Sequence, residues 1–148
     1  MKLPAFDYAA PASVDEAVKL LAAHPGAKAL AGGQSLLPTL AFRLAAPSML
    51  VDLRRIAALQ KIRVTERQTI LGSRVRWRDI LDDARLASAQ PLLVEAVAHV
   101  AHYQIRNRGT VGGSLAHADP AAELPGIAVA CDAQIVVQSP HGTRTVEA

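Results

Sequence analysis

The sequence predicts an α/β fold arranged as two small lobes. Three observations lead there. Short apolar runs alternate with helical-period segments over the first fifty residues. Two Gly-Gly turns of the same design, Gly32-Gly33 and Gly112-Gly113, fall one in each lobe. The chain has 148 residues, 51% of them hydrophobic, which suits one domain or two lobes sharing a ligand.

The first lobe, residues 1–54, opens with a helix over "SVDEAVKLLAA", Ser13 to Ala23. Ser13 and Glu16 have capping-box spacing, and Val14, Ala17, Val18, Leu20 and Leu21 form one apolar face. Pro25 and Gly26 stop it. "AKALA" reads as a short buried strand leading into Gly32-Gly33, then "SLLPTLAFRL" as a short helix capped by Ser35, and "MLVDL", Met49 to Leu53, as a second strand.

The second lobe, residues 55–148, begins with "QKIRV" and "QTILGSRV", two strands around a turn at Glu66-Arg67-Gln68. "RWRDILDDARLA" and "QPLLVEAVAHVAHY" read as helices, the latter with Pro91 near its start. "QIRNRGTVGGS" is a loop, "AAELPGIAVACD" an apolar helix, and "AQIVVQS-PHG-TRTVEA" a hairpin.

Composition narrows the chemistry. Aromatic residues are only 3%, too few for base-stacking platforms, and the net charge of +3 favours an anionic ligand or acidic partner over nucleic acid. The lone cysteine, Cys131, excludes a disulfide framework or a cysteine-ligated iron–sulfur or zinc site within the chain. In its apolar run it is expected to be a small buried core residue. The N-terminus has no apolar signal region and no run reaches membrane-spanning length, so a soluble cytoplasmic protein without membrane insertion is expected.

The two glycine segments, "LAGGQSLLP" and "RGTVGGSLAH", share one design: Gly-Gly followed by a serine, Ser35 or Ser114. Glycine admits positive φ and close approach of backbone to ligand, consecutive N–H groups can converge on an anion, and a following helix adds partial positive charge. Each alone is equally an ordinary tight turn. Together they fit a diphosphate held between two lobes. No G-x-G-x-x-G and no G-x-x-x-x-G-K-[ST] occurs, so neither the Rossmann fingerprint nor the P-loop accounts for them.

"AGGQSLLPTLAFRL", "MLVDLRRI" and "LLVEAVAHVAHYQIRNRGTVGGSLAHADPAAELP" strongly resemble, in order and over nearly the whole chain, the flavin subunit of molybdenum hydroxylases. These include the medium subunit of bacterial carbon monoxide dehydrogenases and the flavin domain of xanthine dehydrogenases. The resemblance implies the two-lobed FAD-binding fold of the vanillyl-alcohol-oxidase (PCMH) type. It implies an FAD-dependent oxidoreductase subunit that takes electrons from the [2Fe–2S] clusters of a small subunit, fed by the molybdenum cofactor of a large subunit, and delivers them to an external acceptor. It places Ala31, Gly32, Gly33, Gln34 and Ser35 around the FAD diphosphate, flanked by Ala29, Leu30 and Leu36. Thr110, Val111, Gly112, Gly113 and Ser114 supply the second-lobe contact, and Glu123 lies toward the ribose or adenosine end. Family members continue beyond "GTRTVEA", so an incomplete second lobe and an absent C-terminal domain are expected, with little activity in isolation. The alternative is a non-catalytic assembly module that keeps the fold and docks partners without FAD.

Other residues carry less. His99 and His102 read as helix positions, and His117 or Tyr103 can approach the flavin or simply pack. Arg74, Arg76 and Arg78 around Trp77, with Arg106 and Arg108, read as a solvated face or a docking patch for an acidic partner; Arg106 or Arg108 can also brace the loop through carbonyls. Asp82-Asp83 and Asp15-Glu16 are helix surface, not a catalytic carboxylate pair.

Overall fold

A computed structural model describes residues 2–148. The first lobe is built on a parallel three-stranded sheet of β1 (Asp7–Ala9), β2 (Lys28–Leu30) and β3 (Met49–Asp52), in the order β1-β3-β2. Successive side chains of a strand point to opposite faces, and β3 uses both. Val51 packs with Ala17 and Ile56 on the face covered by α1 (Val14–Ala23), while Leu50 packs with Leu30 and Leu40 on the face covered by α2 (Leu36–Ala41). Ile56 and Leu59, beyond residue 54, belong to this packing too.

Helix α1 forms for the reasons its sequence supplies. The Ser13 hydroxyl accepts the Glu16 N–H at 3.2 Å. The reciprocal half of the box is displaced by one residue: Glu16 Oε2 accepts the N–H of Ala12, not of Ser13. Ser13→Ala is expected to destabilise the protein by about 1 kcal/mol, readable as a lower urea midpoint at unchanged slope.

The second core collects Val75, Trp77, Ile80, Leu86, Leu93, Val97, Val100, Val111 and Leu124. It is contributed by the segment before α3 (Trp77–Asp82), by α4 (Ala84–Ala89) and α5 (Pro91–His99), by α7 (Val111–His117) and by α8 (Glu123–Ala130). The hairpin of β4 (Ile62–Val64) and β5 (Thr69–Leu71) packs Ile62, Val64 and Leu71 against it. A second hairpin, β6 (Gln134–Ser139) with β7 (Gly142–Glu147), closes the described chain and touches α1 where Gln138 donates to Asp15 at 2.7 Å. No helix of the described residues is long and apolar enough to cross a membrane.

Several local expectations need correcting. Strand β1 had no sequence signal: it is three residues long and is held by pairing with the distant β3. Of "AKALA" only Leu30 is buried, because β2 is an edge strand. The helix expected over "RWRDILDDARLA" breaks at Asp83, whose extended backbone (ψ 98°) and carboxylate cap α4 by accepting the Arg85 N–H. "QIRNRGTVGGS" is not one loop, since α6 (Tyr103–Arg106) and the first turn of α7 occupy its ends. Cys131 is exposed, not buried: α8 ends at Ala130 after burying Leu124 and Ala128, and Cys131 lies past the last packed turn.

Candidate functional site

The two glycine segments meet. Leu30 pairs with Asp52 at the C-terminal edge of the parallel sheet, the edge at which open α/β sheets bind ligands. The chain leaving β2 there runs through Ala31, Gly32 and Gly33 directly against the backbone before α7. A Cβ on Gly32 would lie 2.2 Å from the Arg108 carbonyl oxygen, and one on Gly113 would lie 3.9 Å from Ala31 Cβ. Gly33 has φ +74°, a left-handed conformation that glycine adopts without strain.

The first segment is a cradle of free donors. Among the described residues, the backbone N–H groups of Gly32, Gly33, Gln34 and Ser35 have no protein acceptor. Gln34 Nε2 donates to the Gly32 carbonyl at 3.1 Å and braces the turn. Ser35 does not cap α2 as expected. Its backbone is already helical and its hydroxyl makes no capping bond, so that side chain stays exposed and unspent. Ala29 lies in β2, while Leu30 and Leu36 pack in the sheet's core and support the cradle from below.

The second segment is built differently despite the matching sequence. Val111 N–H donates to the Val75 carbonyl at 2.9 Å, Gly112 N–H to the Ser73 carbonyl at 2.8 Å, and Ser114 N–H to the Thr110 carbonyl at 3.0 Å. Gly113 N–H goes to Thr110 Oγ1 at 3.2 Å. These donors are taken by the protein itself. Gly112 is glycine because Ser73 leaves no room: an added Cβ would lie 2.5 Å from Ser73 Cβ. Trp77 N–H donates to the Gly109 carbonyl, so the stretch Ser73–Trp77 is stitched alongside Gly109–Gly112.

That stitch brings two arginines to the junction. A cleft between the segments is lined by Ala31, Gly32, Asn107 and Thr110 together with Arg74, Arg76 and Arg108. The basic cluster thus divides. Arg78 pairs with Asp82 on the helix surface, as a solvated face would. Arg106 braces the turn after α5, donating to the Val100 and Ala101 carbonyls at 2.8 and 3.1 Å. Arg74, Arg76 and Arg108 face the glycine junction.

Beneath it lies a residue to which the sequence drew no attention. Asp52, 2% exposed, accepts the Tyr8 hydroxyl at 2.9 Å, the Arg54 N–H at 2.8 Å and Arg54 Nε at 2.6 Å. Burial pushes its pKa up, but the Arg54 and Tyr8 hydrogen bonds and the Arg54 charge outweigh burial and hold the carboxyl below the usual range. A carboxylate closing the apolar run "MLV" was the available signal.

Glu123 is exposed at the start of α8 and is not among the residues lining the cleft. His117 and Tyr103 are exposed, and His99 sits beside Glu95 on a helix surface. Among the described residues no three His, Cys, Asp or Glu side chains gather as a metal site requires.

Residues 4–148 match the family described as the FAD binding domain in molybdopterin dehydrogenase. The chain belongs to that family. Its fold is the PCMH-type FAD-binding α/β fold of the medium subunits of molybdenum hydroxylases. The 6-hydroxypseudooxynicotine dehydrogenase complex subunit alpha of Paenarthrobacter nicotinovorans is 47% identical over 99% of this chain and 50% of its own length. The carbon monoxide dehydrogenase medium chain of Hydrogenophaga pseudoflava is 42% identical over 98% of this chain and 51% of its own. Among solved structures, quinoline 2-oxidoreductase from Pseudomonas putida 86 superimposes with a TM-score of 0.97 at 47% identity, covering 99% of this chain and 52% of that one. The flavin-domain chain thus spans about half the length of the relatives it matches.

Proposed function

We propose that this chain holds FAD as part of the flavin subunit of a molybdenum-containing hydroxylase or dehydrogenase, beside an iron–sulfur small subunit and a molybdenum large subunit. The carrying observation is the cradle of unpaired N–H groups at Gly32–Ser35, set against a cleft lined by three arginines. That donor set suits a dinucleotide's diphosphate. Free N–H groups and cations meet phosphate oxygens, and Gly32, lacking a Cβ, lets the first segment lie directly against the Arg108–Gly109 backbone.

Each residue then has a task. Gly32, Gly33, Gln34 and Ser35 bind through the backbone, with the Ser35 hydroxyl as a further donor. Ala31 and Thr110 form the facing walls. Val111–Ser114 fix the position of the second segment through their bonds to Ser73, Val75 and Thr110, and Glu123 lies toward the sugar of the adenosine end. FAD, when bound, supplies the redox chemistry, accepting electrons from [2Fe–2S] clusters and passing them to an external acceptor. No side chain is required as an acid or base; binding and orientation are the protein's contribution.

The test is titration of flavin-free protein with FAD, followed by flavin fluorescence. Saturable quenching at one FAD per chain is the expected result. Absence of binding, with co-purification of iron–sulfur and molybdenum subunits, would leave the assembly-module reading in its place.

A further inference from the structure

The three arginines that line the cleft are not equivalent. Arg76 is spent: its Nε and Nη2 bond to Asp79 at 3.2 and 3.0 Å. Arg108 is exposed, with no side-chain partner among the described residues, so its charge is hydrated. Arg74 differs from both. It is half-buried, its Nη1 donates to the Arg54 carbonyl at 2.6 Å, and no carboxylate lies within ion-pairing distance. Its Nε is shielded from water and has no acceptor.

A guanidinium carries five N–H donors. Arg74 uses one of them on the protein, and a partly desolvated cation without a counter-charge is unfavourable until an anion meets it. Its placement is firm from two sides. Ser73 and Val75, its neighbours, are bonded to Gly112 and Val111. The Arg54 carbonyl that it grips follows Asp52, whose carboxylate fixes the Arg54 N–H and side chain. The second glycine segment has no backbone donors to spare at Val111–Ser114. On that side of the cleft, a full positive charge comes only from an arginine side chain.

We propose that Arg74 is the anchor for the phosphate oxygens of the bound dinucleotide, supplying across the cleft the counter-charge that the second glycine segment does not. This rests on the FAD reading and names the side chain that recognises the diphosphate.

The experiment compares wild type, Arg74→Met, Arg74→Gln and Arg74→Lys in flavin-free full-chain protein. Four probes are titrated: FAD and ADP, which carry the diphosphate, and riboflavin and adenosine, which do not. Arg74→Gln keeps a donor for the Arg54 carbonyl, so it covers the case in which Arg74→Met fails to fold. Both neutral variants are expected to bind FAD and ADP about 10-fold or more weakly, with a shallower salt dependence than wild type. Riboflavin and adenosine affinities stay at wild-type values, and Arg74→Lys recovers part of the loss. FAD binding by the neutral variants at wild-type affinity overturns the proposal, as does equal weakening of all four probes, which marks a structural role. Wild type that binds no FAD overturns the functional reading itself, and the anchor with it.

Discussion

Gly32→Val is expected to weaken FAD binding by about 100-fold or more. The added Cβ would sit 2.2 Å from the Arg108 carbonyl oxygen and 3.0 Å from the Arg108 carbonyl carbon and Gly109 Cα. All three are backbone atoms, so no rotamer change relieves the contact. The first glycine segment has to retreat by about 1 Å, and a preorganised site loses on the order of 100-fold for such a displacement. The whole donor cradle moves with Gly32, because Gln34 is tied to its carbonyl. Gly126→Ala is the matched control: nothing lies within 4 Å of a Cβ there, and the residue is in α8. It is expected to bind FAD as wild type does, with slightly raised stability from better helix propensity. Wild-type FAD affinity in Gly32→Val, measured by fluorescence quenching, would remove the cradle from the site.

Asp52→Asn is expected to lower stability by about 3 kcal/mol at neutral pH and to change how stability depends on acid. The carboxylate is buried at the end of the central strand and accepts from Tyr8 and twice from Arg54. An amide in its place offers one acceptor oxygen, no charge, and two donors, for which the Tyr8 hydroxyl is the one neighbouring acceptor. The folded-state pKa lies below the unfolded value, so the unfolded chain binds more protons in acid. The stabilisation from Asp52 is therefore fully present above the unfolded pKa, about 3.9. It is lost as pH falls through the lower folded-state pKa. Urea unfolding of the two proteins should show a gap at neutral pH that narrows in acid. A constant gap across that range would mean that ionisation of Asp52 contributes nothing.

Much of the fold was legible because its causes are local. Helix α1 follows from Ser13, Glu16 and five apolar residues at helical spacing, and the β6–β7 hairpin from two alternating strands around Pro140-His141-Gly142. The family was legible too, since "AGGQSLLP" and "RNRGTVGG" are backbone-driven segments whose glycines are demanded by close contacts. Other features were not legible because their partners are distant in sequence. Strand β1 exists through β3, Cys131 is exposed because α8 ends one residue too soon, and Asp52, beside its neighbour Arg54, takes a further bond from Tyr8 arriving from β1.

The contrast is sharpest at the two glycine segments themselves. Residue order alone was enough for the α/β alternation, for two Gly-Gly-x-Ser or Gly-Gly-Ser turns and for membership of a flavin-binding family, because turn chemistry and periodicity act over a few residues. Tertiary packing decided that Gly32–Ser35 keep their donors while Val111–Ser114 surrender theirs, the first two to Val75 and Ser73 and the other two to Thr110. It also decided that Arg74 stands unpaired at the cleft. Whether an N–H or a guanidinium is free depends on which acceptors the folded chain brings within about 3 Å of it, and those acceptors are set by contacts between segments that the linear sequence keeps far apart.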